Sequence, residues 1–96
     1  MWEVTKKIAK VKASECSVIK IDAGNDTNGN PRRGWLILTP SQGAIGFVNE
    51  GYRGMAAFDD IFETADAKAL KAAASHGGSV KVSPSEYRDH KKSLSL

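Results

Sequence analysis

Gly34-Trp35-Leu36-Ile37-Leu38-Thr39-Pro40-Ser41-Gln42-Gly43-Ala44-Ile45-Gly46-Phe47-Val48-Asn49 is the stretch that decides the fold. Both of its ends are runs of aliphatic and aromatic side chains, which favour extended backbone. Between them stands Pro40 to Gly43, where Pro presets φ and Gly accepts a left-handed terminal position. The stretch therefore reads as a β-hairpin over 34–49. If residues 40–43 form the loop, Thr39 opposes Ala44, Leu38 faces Ile45, Leu36 faces Phe47 and Arg33 faces Glu50.

Side chains alternate along a strand with period 2. Leu36, Leu38, Ile45 and Phe47 then share one face, while Trp35, Ile37 and Val48 share the other. Both faces are apolar, so the sheet must be covered twice. One helix covers one face. The second face calls for the N-terminal segment with Trp2, Val4, Ile8 and Val11, for the C-terminal segment, or for a second copy of the chain.

Working upstream, residues 17–22 read as a strand. Residues 23–33, rich in Gly, Asn and Asp, form the longest loop, with Asn28-Gly29 as its turn dipeptide. Residues 1–15 carry apolar side chains at helical spacing but many β-branched residues, and the balance leans slightly to a strand. Downstream, 65–75 is dominated by Ala, Lys and Leu and forms the main helix, with Thr64 or Asp66 as its cap and Gly77-Gly78 as its stop. Its apolar stripe, Ala67, Leu70 and Ala74, is thin, so Phe58, Ile61 and Phe62 supply the bulk. A last strand is expected at 79–82. Ser83-Pro84-Ser85-Glu86 then has the form of a capping box with Pro at the first helical position, opening a short helix over 84–90. Residues 93–96 read as a frayed tail. The expected fold is α+β: a small antiparallel sheet of three to four strands with one main helix, all in a single domain over 1–96.

Composition narrows the function classes. A hydrophobic fraction of 41% with a charged fraction of 26% argues against disorder across the whole chain. The net charge of +3 is dispersed over both termini and the middle, whereas a dedicated nucleic-acid module clusters its cations on one face. Cys16 is the lone cysteine, which excludes an intramolecular disulfide. The chain holds no apolar run of membrane-spanning length, and the cytoplasm is the expected compartment.

Catalytic and metal chemistry find little to work with. There is no CxxC, no HExxH and no nucleophile paired with a base, so no catalytic residue, metal or cofactor is expected. The loop with Asp22, Asp26, Asn28 and Asn30 has acidic residues suited to calcium, but counting from Asp26 the positions for Gly and Glu hold Pro31 and Ile37. Asp59, Asp60 and Glu63 precede the Ala-rich helix, where acids complement the helix dipole.

One constellation remains. Arg32, Arg33 and Trp35 begin one strand of the hairpin, and Glu50, Tyr52 and Arg53 end its neighbour. Three arginines with two aromatics at one sheet edge suit a carboxylate, a phosphate or an acidic protein loop. The bland alternative is an Arg33–Glu50 cross-strand pair with Trp35 in a minor core. The sequence thus implies a non-enzymatic binding module for a protein partner, or for itself as a homodimer, with Arg32, Arg33, Trp35, Tyr52 and Arg53 as the binding residues. A nucleic-acid accessory protein using dispersed Lys and Arg is the alternative, and a binder of a small anion, or an enzyme acting on one, the next.

Overall fold

A computed structural model describes residues 11–51 and 54–96. Three strands follow one another as a meander: β1 (Ser17–Asn25), β2 (Pro31–Thr39) and β3 (Gly43–Asn49). Helices α1 (Ala56–Ile61) and α2 (Thr64–His76) come next, then β4 (Ser79–Lys81) and α3 (Pro84–Leu94). The sheet order is β3-β2-β1-β4. This is a small α+β fold.

The sheet is mixed, not wholly antiparallel: β4 pairs in parallel with β1, Ile21 opposite Val80. The reason lies in the connection. From β3 the chain must reach the opposite edge of the sheet, and it does so through α1 and α2, which cover one face on the way. A strand reached by such a crossover runs parallel to the strand it left, and β1, two antiparallel steps from β3, has that same direction.

The hairpin register holds where the residues are large. Leu36 opposes Phe47, Trp35 opposes Val48, and Glu50 N donates to Arg33 O at 3.1 Å. Towards the turn it slips: Leu38 opposes Ala44, not Ile45, and Thr39 opposes Gly43. A β-bulge at Ile45–Gly46 takes up the extra residue, beside a glycine that weakens regular pairing. The slip moves Ile45 to the face of Trp35, Ile37 and Val48, where it is buried.

Two cores result. On the first face Val18, Trp35, Ile37, Ile45 and Val48 pack against Phe58, Phe62, Ala67 and Leu70 of the α1–α2 layer. Phe58 tilts against Trp35 at 5.5 Å and stacks on Phe62 at 6.2 Å. On the second face Ile21, Leu36 and Phe47 meet Tyr87 of α3, the Phe47 and Tyr87 rings crossing edge to face at 5.8 Å. The C-terminal segment is therefore the cover for the second face, and that face no longer calls for a second copy.

Several local expectations change. The loop after β1 is shorter than 23–33, because β1 runs on to Asn25 and β2 starts at Pro31. Phe58, Ile61 and Phe62 do supply bulk, but Phe58 and Ile61 do so from a helical segment of their own, and Phe62 from the extended pair Phe62–Glu63 that separates it from the Ala-rich helix. Glu63 occupies the cap position of α2 without a side-chain cap bond, so neither Thr64 nor Asp66 caps it. Gly77 ends that helix with φ −73°, so its use is not a left-handed turn. A Cβ there would stand 1.9 Å from Val18 O, so the glycine lets the chain pass close over β1. Ser83 Oγ accepts from Glu86 N at 3.1 Å with Pro84 at the first turn of α3, which then continues past residue 90 to Leu94. At the tail, Leu96 N donates to Phe47 O at 3.0 Å. Ala13–Glu15 form a 3-10 turn, and the strand expected near the N-terminus falls otherwise on residues 1–10, outside the described residues.

Candidate functional site

The β1–β2 loop is locked from within. Asp26 Oδ1 accepts from Asn28 N at 2.8 Å and from Asn30 N at 2.9 Å, and Asp26 N donates to Asn30 O. An Asp that collects loop amides in this way mimics a backbone turn. The bond to Asn30, then that to Asn28, and the Arg32 charge hold its carboxyl below the usual aspartate range. Arg32 follows at the start of β2 and donates from its Nη2 to Asn25 O at 2.7 Å, across the mouth of the loop. Its Nε is buried and makes no hydrogen bond among the described residues.

Facing this loop across the second sheet face is α3. Tyr87 points inward and is almost fully buried, which pushes its phenol up, while an Asn49 side-chain hydrogen bond and the Arg32 charge work the other way. With Tyr87 turned in, its neighbour Arg88 and, one turn on, Lys91 flank the gap between helix and loop. Together with Asn49 and Gly51 at the end of β3, these residues line an open cleft of about 750 Å³. Among the described residues, its charged lining is Arg32, Arg88 and Lys91 against Asp26. Such a cleft attracts anions, and two guanidiniums offer it planar, multidentate donors.

The expected arginine–aromatic edge is divided by the pleat. Arg33 and Trp35 lie on the first face, Arg32 on the second. Arg33 sits 3.9 Å from Glu50 Oε1 and 4.0 Å from Asp22 Oδ1, so it is held in a cross-strand network. Lys20 Nζ joins that network 2.8 Å from Glu50 Oε2, at an angle that makes an ion pair and not an aligned hydrogen bond. It also lies 5.6 Å over the Trp35 ring. Trp35 itself is 5% exposed, and its ring is taken up by Phe58 and Lys20. Tyr52 and Arg53 lie outside the described residues. Of the three described residues among the five expected from sequence, Arg32 is the one placed in the cleft.

Arg88, Lys91 and Asn49 are lining residues that the sequence reading misses. A signal exists for two of them: once Pro84 starts a helix and Tyr87 faces the core, residues 88 and 91 fall side by side at i, i+3.

The remaining chemistry is sparse. Burial pushes the Cys16 thiol up, with Glu15 and Asp66 adding to the effect, and a higher thiol pKa means less thiolate to react. Among the described residues no group of His, Cys, Asp and Glu could hold a metal ion, and no helix is long and apolar enough to cross a membrane. No known protein family, curated protein or solved structure matches this chain.

Proposed function

We propose that this chain is a non-enzymatic binding module that engages an acidic segment of a partner protein in the cleft between the β1–β2 loop and α3. The observation that carries the reading is the convergence of Arg32, Arg88 and Lys91 on one open concavity. Two features favour a protein segment over a small ligand. The cleft is open along its length and sits on two rigid elements, a locked loop and a capped helix. It is also open to solvent, without the enclosure that buries most of a small molecule's surface.

Nucleic acid is the second reading, and the fate of Trp35 weighs against it. Stacking needs an exposed aromatic face, and that ring is buried.

Calorimetric titration with an oligoglutamate peptide tests the proposal. Saturable binding is expected, and the double variant Arg88→Glu/Lys91→Glu should weaken it by about tenfold or more, the size of one hot-spot contact. Single-stranded DNA that binds more tightly than oligoglutamate, with a steep loss in salt, would replace the protein reading by the nucleic-acid one. Oligoglutamate that fails to bind the unaltered chain would sink the proposal.

A further inference from the structure

The cations of the cleft come from two elements. Arg32 stands at the start of β2, while Arg88 and Lys91 stand on α3. Residues three apart on a helix are surface neighbours, with Cβ atoms about 5–6 Å apart. A pair of cations on the helix therefore shares one concavity with a third from the sheet.

Arg32 is fixed before any ligand arrives. Of its five N–H donors, one on Nη2 goes to Asn25 O at 2.7 Å, and the one on Nε is buried. The donors left for a ligand are those on Nη1 and the second hydrogen of Nη2, at the end of the fork. A guanidinium held in this way has little freedom to lose on binding. Asp26 is held as well, its Oδ1 accepting from Asn28 N and Asn30 N. Those amide bonds leave its charge in place. Among the described residues the lining thus sets three cations against one carboxylate, a net of two positive charges.

Charge and placement together discriminate between anions. A carboxylate has a single charge and acceptor sites in one plane, which suits one fork approaching from one side. A phosphoryl monoester carries a charge of about −1.5 to −2 and three strong acceptor oxygens. It matches the net charge of the lining, and its tetrahedral oxygens face β2 and α3 at once. Arginine clusters are a recurrent means of recognising phosphorylated segments.

We propose that the segment taken up in this cleft is phosphorylated, its phosphoryl oxygens bridging Arg32 on β2 and the Arg88–Lys91 pair on α3. The inference rests on the cleft being the binding site for an acidic segment, and adds to it the chemical form of the acid. The cleft is open, so the chain on either side of the phosphorylated residue runs out to solvent.

The experiment titrates the full chain by calorimetry with three peptides blocked at both ends. They are Gly-Ala-phosphoserine-Ala-Gly, its unphosphorylated form, and Gly-Glu-Ala-Glu-Gly, whose two glutamates supply a matching charge. The phosphopeptide should bind about tenfold or more tightly than the glutamate peptide, and the unphosphorylated form should not bind. Arg32→Lys keeps the charge and loses the fork. It should weaken the phosphopeptide by about fivefold and leave the glutamate peptide nearly unchanged. A phosphopeptide indifferent to Arg32→Lys would overturn the bridge between β2 and α3. If the glutamate peptide binds as tightly as the phosphopeptide, or more so, the phosphoryl reading is overturned and the cleft reading stands. If inorganic phosphate alone binds as tightly as the phosphopeptide, the site is one for the free ion and the phosphorylated segment is overturned. If neither acidic peptide binds at millimolar concentration, both readings fail.

Discussion

The two faces of the sheet are both apolar in sequence, yet they end differently. The first meets a double helical layer whose two phenylalanines and Leu70 fill the space against Trp35, and its charged rim is tied up in the Lys20–Glu50–Arg33–Asp22 network. The second meets one helix set across it, whose core is four residues, Ile21, Leu36, Phe47 and Tyr87. A single helix cannot cover a twisted sheet to its corner. The corner left over, between α3 and the β1–β2 loop, is the cationic cleft. The larger core lies on the first face, and the recognition we propose lies on the second.

The largest effect that can break this comparison is in the first core. Phe58 is fully buried, and Phe58→Ala should cost about 4 kcal/mol in urea unfolding, close to or beyond what a domain of this size can lose. On the second face, Tyr87→Phe removes a hydroxyl hydrogen bond and keeps the ring, so it should cost about 1 kcal/mol. Equal losses at the two sites would erase the asymmetry.

Ser83→Ala comes next. It removes the side-chain cap of α3 and should cost about 1 kcal/mol. Hydrogen exchange should then rise across α3 and leave α2 unchanged; a rise in both would mean that the layers unfold as one unit.

Smaller still is the contrast between neighbouring arginines. Arg33→Ala should lower stability by a few tenths of a kcal/mol, the range of partly exposed ion pairs. It should leave oligoglutamate binding unchanged. Arg32→Ala should do the reverse, reducing that affinity by about fivefold with folding intact.

The smallest effect is a titration. The Asp26 carboxyl is held low, mainly by the Asn30 amide, so it stays ionised as pH falls through the ordinary aspartate range. Its contribution to folding is present above the unfolded pKa and is lost as pH falls through the lowered folded one. Carboxyl carbon shifts should place its midpoint below the ordinary aspartate value. A midpoint at the ordinary value would mean that the loop is not locked.

Much of this is legible in the residues themselves. Trp35 to Leu38 and Phe47 to Val48 announce the hairpin because few other structures use apolar side chains on both faces of a short run. Ser83-Pro84 and Glu86 announce α3 because capping is a local interaction. What stays hidden in the sequence is non-local. The bulge that turns Ile45 over depends on how Gly46 meets β2 and the chain's end. The parallel pairing of β4 depends on where α2 delivers it. The division of the arginine–aromatic edge is a different case, because period 2 by itself puts Arg32 on one face and Arg33 and Trp35 on the other. The cleft is harder to read, because Arg32 and Arg88 are brought together by the crossing of α3 and not by spacing along the chain.

The central claim, that recognition belongs to the second face, is tested most directly by titrating the isotopically labelled full chain with oligoglutamate and following every backbone amide. The account predicts saturable shifts at Arg32, Asn49, Arg88 and Lys91, with Trp35, Phe58 and Leu70 unmoved. Shifts confined to α1, α2 and the first face, or none anywhere at millimolar peptide, would contradict it.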